Sequence, residues 1–155
     1  MSKKQTLIPE KIHFNGFRII RGEINSEIDF DDEAVKGHQV KTNFDLAFSL
    51  DGSMVKAEID FKINTESEID QEEASAFFSF VFFYQVENLS DLVKIIDKTE
   101  QLEVDNGLAN ALASMTYSTS RGVLLTRLQG TALGTFILPV IDPNELLNGK
   151  EKKKP

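Results

Sequence analysis

The chain has 155 residues, a net charge of −8, 12 Phe, two Tyr, no Trp and no Cys. A chain of this length suits one domain and buries roughly 70% of its unfolded surface without covalent staples. The absent cysteines exclude disulfides, thiolate metal sites and thiol nucleophiles, and the acid excess argues against a nucleic-acid surface, which selects basic faces.

No apolar run reaches the roughly 18 residues that a membrane span needs. Met1 to Glu10 carries two lysines with no apolar core behind them, unlike a signal peptide. A cytoplasmic protein with no membrane insertion is expected. Acidic residues gather from Glu23 to Glu33 and from Glu66 to Glu73. They read as solvated loops; steering of a basic partner is the functional alternative. Met1 to Leu7 and Asn148 to Pro155 are polar and expected to fray.

Lys11 to Ile28 is the first strand signal, with a bulge or bend expected because Gly16 and Gly22 interrupt it. Asp29 to Glu33 ends it. The second strand covers about Gln39 to Leu50, with Val40, Thr42, Phe44, Leu46, Phe48 and Leu50 on one parity. Asp51-Gly52 marks a hairpin. The third strand carries Val55, Ala57, Ile59, Phe61 and Ile63 on odd positions. A two- or four-residue turn sets Phe48 against Val55, Leu46 against Ala57 and Phe44 against Ile59.

Ser75 to Val86 is the fourth strand and is apolar on both parities, so both faces need cover. One face meets this chain's helix; the other is expected to meet a partner. Leu92 to Ile96 reads as a short helix or a short strand. The long helix starts at an Asp105 or Asn106 cap and shows Leu108, Leu112, Met115 and Thr119 at helical spacing. Between Gly107 and Gly130 its only charges are Arg121 and Arg127. An ordinary surface helix has a charged outer face. This one is expected to pack on its sheet and against another subunit, with Ala109, Ala113, Ser114, Tyr117, Ser118 and Arg121 as candidate contacts. An apolar connector, Leu133 to Val140, follows. Asp142 caps a short last helix that has Pro143 first and Gly149 at its end.

Chemistry-bearing motifs are missing. His13 and His38 form no metal-ligand spacing, and a zinc site wants three or four ligands. There is no nucleophile elbow, phosphate loop or dinucleotide turn. Acid pairs such as Glu66/Glu68 and Glu72/Glu73 sit in a polar stretch expected to be solvated, and read as a loop between strands three and four. Asn88-Leu89-Ser90 matches a glycosylation sequon without meaning in a cytosolic protein. No catalytic residue, metal or cofactor is expected. What remains is apolar surface: Phe77, Phe80, Phe82, Phe83 and Tyr84 on strand four, then Leu133, Phe136, Ile137 and Leu138 on the connector. These residues are candidates for binding polypeptide; core or subunit interface is the alternative.

The order of four strands, long helix, Gly/Pro connector and short helix resembles the SecB export-chaperone family over about residues 11–148. Ser120-Arg121 lies in the long helix, where the family typically has an arginine. Gly134 to Pro139-Val140 precedes Asn144-Glu145-Leu146-Leu147, like the family's Pro-Val connector and Leu-ending helix. The resemblance implies an α+β domain, a four-stranded antiparallel sheet followed by a long and a short helix, ordered over about 8–148. It also implies a non-enzymatic holdase, a dimer of dimers with helices between two sheets, and grooves for unfolded preproteins. A translocation motor is the further partner in export. The tail, Lys150-Glu151-Lys152-Lys153-Lys154-Pro155, departs from the better-known members, whose tails dock on the motor's zinc-binding domain. Relatives of the fold also serve toxin–antitoxin systems. The other reading is a ligand-binding or hydrolytic domain whose phenylalanines line a small-molecule cavity.

Overall fold

The computed structural model describes residues 7–96 and 101–152. Four long strands form one antiparallel sheet: β1 (Ile12–Asn25), β2 (Val35–Ser49), β3 (Met54–Ser67) and β4 (Ser75–Val86). Their spatial order is β1-β4-β3-β2. The last three run as consecutive hairpins, and β1 returns to lie beside β4. The acidic segment after β1 therefore crosses from one sheet edge to the other, about 14 Å at the usual strand spacing. Gln71 brackets that crossing: its side chain accepts from the Asp31 amide and donates to the Asp31 carbonyl, each at 3.0 Å.

The β2–β3 register sets Phe48 against Val55, Leu46 against Ala57 and Phe44 against Ile59, as the alternation predicts. The turn takes four residues, between the Ser49–Met54 pair. Its left-handed residue is Ser53, with φ 54°, and not Gly52. The first strand carries two irregularities, between Phe14 and Gly16 and between Ile19 and Arg21. Each inserts one residue and reverses the parity. Ile12, Phe14, Phe17, Ile19 and Ile24 thereby all share the face of β4 that bears Val86, Tyr84, Phe82, Phe80 and Ala76. Gly22 lies opposite Phe78, where a Cβ would come within 3.0 Å of the ring. A side chain there would press on the ring, which would have to give way.

After β4 come α1 (Leu89–Leu92), β5 (Val93–Ile96) and β6 (Gln101–Val104). The undecided Leu92–Ile96 stretch is thus both a helical turn and a strand, and β5 pairs antiparallel with β6. Ile95 and Leu102 face each other across this hairpin. Helix α2 (Asn106–Arg127) begins where the Asp105 carboxylate accepts from the Leu108 amide at 3.1 Å. Leu108, Leu112, Thr116, Ser120 and Leu124 recur every four residues and are buried. This stripe corrects the expected one: Met115 is half-buried and Thr119 exposed. Hydroxyls replace apolar groups in mid-helix because each has a partner. The Thr116 hydroxyl bonds the Tyr84 hydroxyl at 2.9 Å, and Ser120 donates to the Thr116 carbonyl at 2.7 Å.

Gly130, with φ 77°, turns the chain out of α2, and the connector leads to α3 (Pro143–Lys152). The Asp142 carboxylate accepts from the Asn144 amide at 2.9 Å, as a cap should. Gly149 does not end α3, which continues to Lys152. A lone glycine costs about 1 kcal/mol of helix propensity and needs a left-handed conformation to act as a stop. Of the ends expected to fray, Leu7 instead packs on the core, while residues 1–6 and 153–155 lie outside the described residues.

The core is one cluster between the sheet's inner face and the α2–connector–α3 layer. Rings pack on rings within it: Phe80 meets Phe17 at 5.5 Å, Phe61 at 6.0 Å and Phe78 at 5.8 Å. Fully burying each such side chain contributes about 1.5–3 kcal/mol.

Candidate functional site

The two parities of β4 have different fates. Phe78, Phe80, Phe82 and Tyr84 point inward and are at most 3% exposed. Burial raises the Tyr84 pKa, with the Thr116 bond acting the other way. Phe77, Val81 and Phe83 point outward and are half-buried. Their neighbours across the ladders are Lys62 and Glu23, Glu58 and Arg18, and Lys56 and Gly16. The Arg21 guanidinium lies 4.4 Å over the Phe77 ring. Its own charge is met by Glu23 at 2.8 Å. Lys56 pairs with Glu58 at 3.2 Å. Long side chains on both flanking strands thus shield the outward row with their stems. The chain itself therefore covers part of this face, and part of it remains accessible.

The connector is tied to α2 by two side chains. The Tyr117 hydroxyl donates to the Pro139 carbonyl at 2.6 Å, and Arg121 Nε donates to the Leu138 carbonyl at 3.0 Å. Leu133, Phe136 and Leu138 turn inward and are buried, whereas Ile137 is 63% and Val140 87% exposed. Alternate connector residues therefore anchor and protrude. Phe136 meets the His38 ring edge-on at 5.3 Å. His38 stands inside β2, opposite Thr65, and not ahead of the strand as its sequence position implied.

Six of the nine residues expected to meet polypeptide, Phe80, Phe82, Tyr84, Leu133, Phe136 and Leu138, are core side chains. Phe136 is sealed over His38. Phe77, Phe83 and Ile137 reach solvent. Of the six expected subunit contacts, Ala113 and Tyr117 are buried within the chain and Arg121 is engaged by the connector. Ala109 and Ser114 are half-buried and Ser118 is exposed. Exposed apolar side chains that sequence reasoning missed include Phe14, Ile20, Ile95, Ile96 and Leu102. Phe14 leans on Phe82 and Tyr84 at 5.7 and 5.4 Å, leaving its outer side open.

Titratable groups in the loops serve structure. Glu73 accepts from the Ser67 hydroxyl, the Ser67 amide and the Thr65 hydroxyl, which together hold its carboxyl below the usual range. Glu27 is raised by its hydrogen bond and proximity to Glu72, with Asp29 adding to the effect. Among the described residues no cluster of His, Asp and Glu has the makings of a metal site, and no helix is long and apolar enough to cross a membrane.

The Mycobacterium tuberculosis SecB-like chaperone Rv1957, solved with a ChAD peptide from the Rv1956 HigA1 antitoxin, superposes on this chain with a TM-score of 0.55. The match covers 86% of this chain and 92% of that one at 15% identity. The fold is SecB-like. A Streptococcus agalactiae protein of unknown function aligns over 83% of this chain and 97% of its own, at 10% identity and a TM-score of 0.36, too loosely to bear on the fold. No protein-family model and no curated protein matches the sequence. The SecB-like fold fits the element order here: a four-stranded antiparallel sheet, a long helix on one face, and a short helix after an apolar connector.

Proposed function

We propose that this protein is a holdase, a chaperone that binds unfolded polypeptides without catalysing a reaction. The observation that carries the reading is the set of large apolar side chains left in solvent on a SecB-like fold: Phe14 on the edge strand β1, Ile137 and Val140 on the connector, and Ile95, Ile96 and Leu102 on the β5–β6 hairpin. Scattered exposed hydrophobics are ordinary. Two elements that each present two or more are less so. Phe77 and Phe83 extend the apolar surface to the outer sheet face. Clients would bind through burial worth roughly 25 cal/mol per Å² before entropic costs. Favouring the unfolded chain, the surface holds clients open by mass action, without a nucleotide.

An antitoxin-like peptide is the first client class to test, because the SecB-like neighbour was solved with one. Export with a translocation motor is the other setting. We infer a homo-oligomer working in the cytoplasm. Ala111, Ser114, Met115, Ser118 and Gly122 give α2 an uncharged outer face suited to close helix contact. The cavity reading finds less support. The inward phenylalanines fill the space between sheet and helix with one another. A depression of about 510 Å³ at the end of α2 is lined instead by Glu27, Asp32, Gln129 and Thr131, among others.

The test is fluorescence anisotropy with a labelled, reduced and carboxymethylated client and with the same label on its native form. Micromolar binding of the unfolded client alone supports the reading. Equal binding of both forms, or of neither, sinks it.

A further inference from the structure

His38 lies on the inner face of β2, paired with Thr65 and covered by Phe136 of the connector. Its Nε2 is buried and has no hydrogen-bond partner among the described residues. That arrangement suits only a neutral ring. Imidazolium has an N–H donor on both nitrogens, and a buried charged donor without a partner is costly. The neighbourhood offers little compensation. From Leu133 to Ile141 the connector contains no ionisable residue. Lys36 and Lys41 share the strand, and Asp142 and Glu145 open α3, which packs on β2. Among the described residues the charge that bears on the ring is Glu66 of β3, and Gln39 Nε2 already donates to its carboxylate at 3.2 Å. Burial lowers the His38 pKa, and Glu66 opposes this only in part.

The side-chain ties from α2 do not reach Phe136 itself. A turn bond from its amide to the Leu133 carbonyl, at 3.0 Å, holds it from one side. Tyr117 and Arg121 grip only the chain beyond it, at Pro139 and Leu138.

We propose that His38 and Phe136 form an acid-released latch: the neutral ring keeps the connector seated, and protonation expels Phe136 into solvent. The sign comes from linkage. A depressed closed-state pKa means that the latch is fully stable above the ordinary histidine value of about 6.5 and weakens as pH falls through the closed-state value. Opening brings Phe136 to the surface beside Ile137 and Val140. It thus enlarges the apolar patch, a use that rests on the holdase reading.

The test needs no client, so its failure would count against the latch and leave client binding standing. In full-length protein with His13→Gln, the one remaining imidazole is followed by NMR from pH 8 to 4.5. Hydrogen exchange of residues 134–138, corrected for intrinsic rates, is measured over the same range. The ring should titrate below about 6.5. Protection of 134–138 should then fall about tenfold for each pH unit that separates the closed-state and open-state midpoints. His38→Phe should keep protection flat with pH. Phe136→Ala should raise the His38 midpoint. Protection that falls equally in His38→Phe, or a midpoint unmoved by Phe136→Ala, overturns the latch. Should His38→Phe not fold, the Phe136→Ala midpoint decides alone.

Discussion

The bond between Tyr84 on β4 and Thr116 on α2, 2.9 Å and buried, is a polar tie between sheet and helix, and a double-mutant cycle weighs it. Tyr84→Phe strands the Thr116 hydroxyl. A helical threonine can turn to the carbonyl four residues back, so this change should cost about 1 kcal/mol, the low end for an orphaned buried group. Thr116→Val strands the Tyr84 phenol, which has no such local carbonyl on a strand, and should cost about 2 kcal/mol. Removing both hydroxyls leaves apolar groups of nearly the same shape, so the double variant should lose only about 1.5 kcal/mol. The coupling of about 1.5 kcal/mol exceeds the 0.3–0.5 kcal/mol or so within which independent sites add. Urea unfolding of the four proteins, with unchanged m-values, reads it. Additive losses would show that α2 is not seated on β4 through this pair.

Glu73→Gln should flatten the acid limb of the stability curve: with its pKa held down, Glu73 contributes above its unfolded value of about 4.5, and that contribution fades as pH falls through the folded value. Unfolding midpoints at pH 7 and pH 3.5 check this, and an equal slope in both proteins would refute it. Ser118→Glu, on the exposed face of α2, should lower the mass found by light scattering while far-UV circular dichroism stays unchanged; an unaltered mass would place the interface elsewhere. Gly22→Val should destabilise by about 1–3 kcal/mol through overpacking, since its Cβ would meet Phe78 at 3.0 Å. A neutral result in thermal unfolding would mean that the ring moves aside.

The β2–β3 hairpin was legible because the pairs from Gly37–Glu66 to Ser49–Met54 keep an unbroken period of two on each side of Asp51-Gly52. The first strand was not, since two irregularities reset its parity, so Phe14, Phe17 and Ile24 look unrelated in sequence yet share a face. The β5–β6 hairpin escaped notice because Val93–Ile96 and Gln101–Val104 have only four residues each, too few to show a period. Hydroxyls concealed the true stripe of α2: Thr116 is a core residue because Tyr84, 32 positions earlier, supplies a partner, and Ser120 because it donates to the Thr116 carbonyl. The same limit applies to the site. Strand four reads as apolar throughout, but sorting Phe80 and Phe82 from Phe77 and Phe83 needs the helix's position. That Arg21 lies over Phe77 depends on the long-range β1–β4 pairing.

The central claim is that exposed apolar side chains on this fold hold unfolded chains. The most direct measurement is the refolding rate of a denatured client diluted into a stoichiometric amount of the protein, compared with Ile137→Ser. Ile137 is 63% exposed, so this change should alter stability by no more than about 0.5 kcal/mol. The account predicts delayed refolding with the parent protein and a several-fold smaller delay with the variant. Refolding at the spontaneous rate in the presence of the parent protein would contradict it.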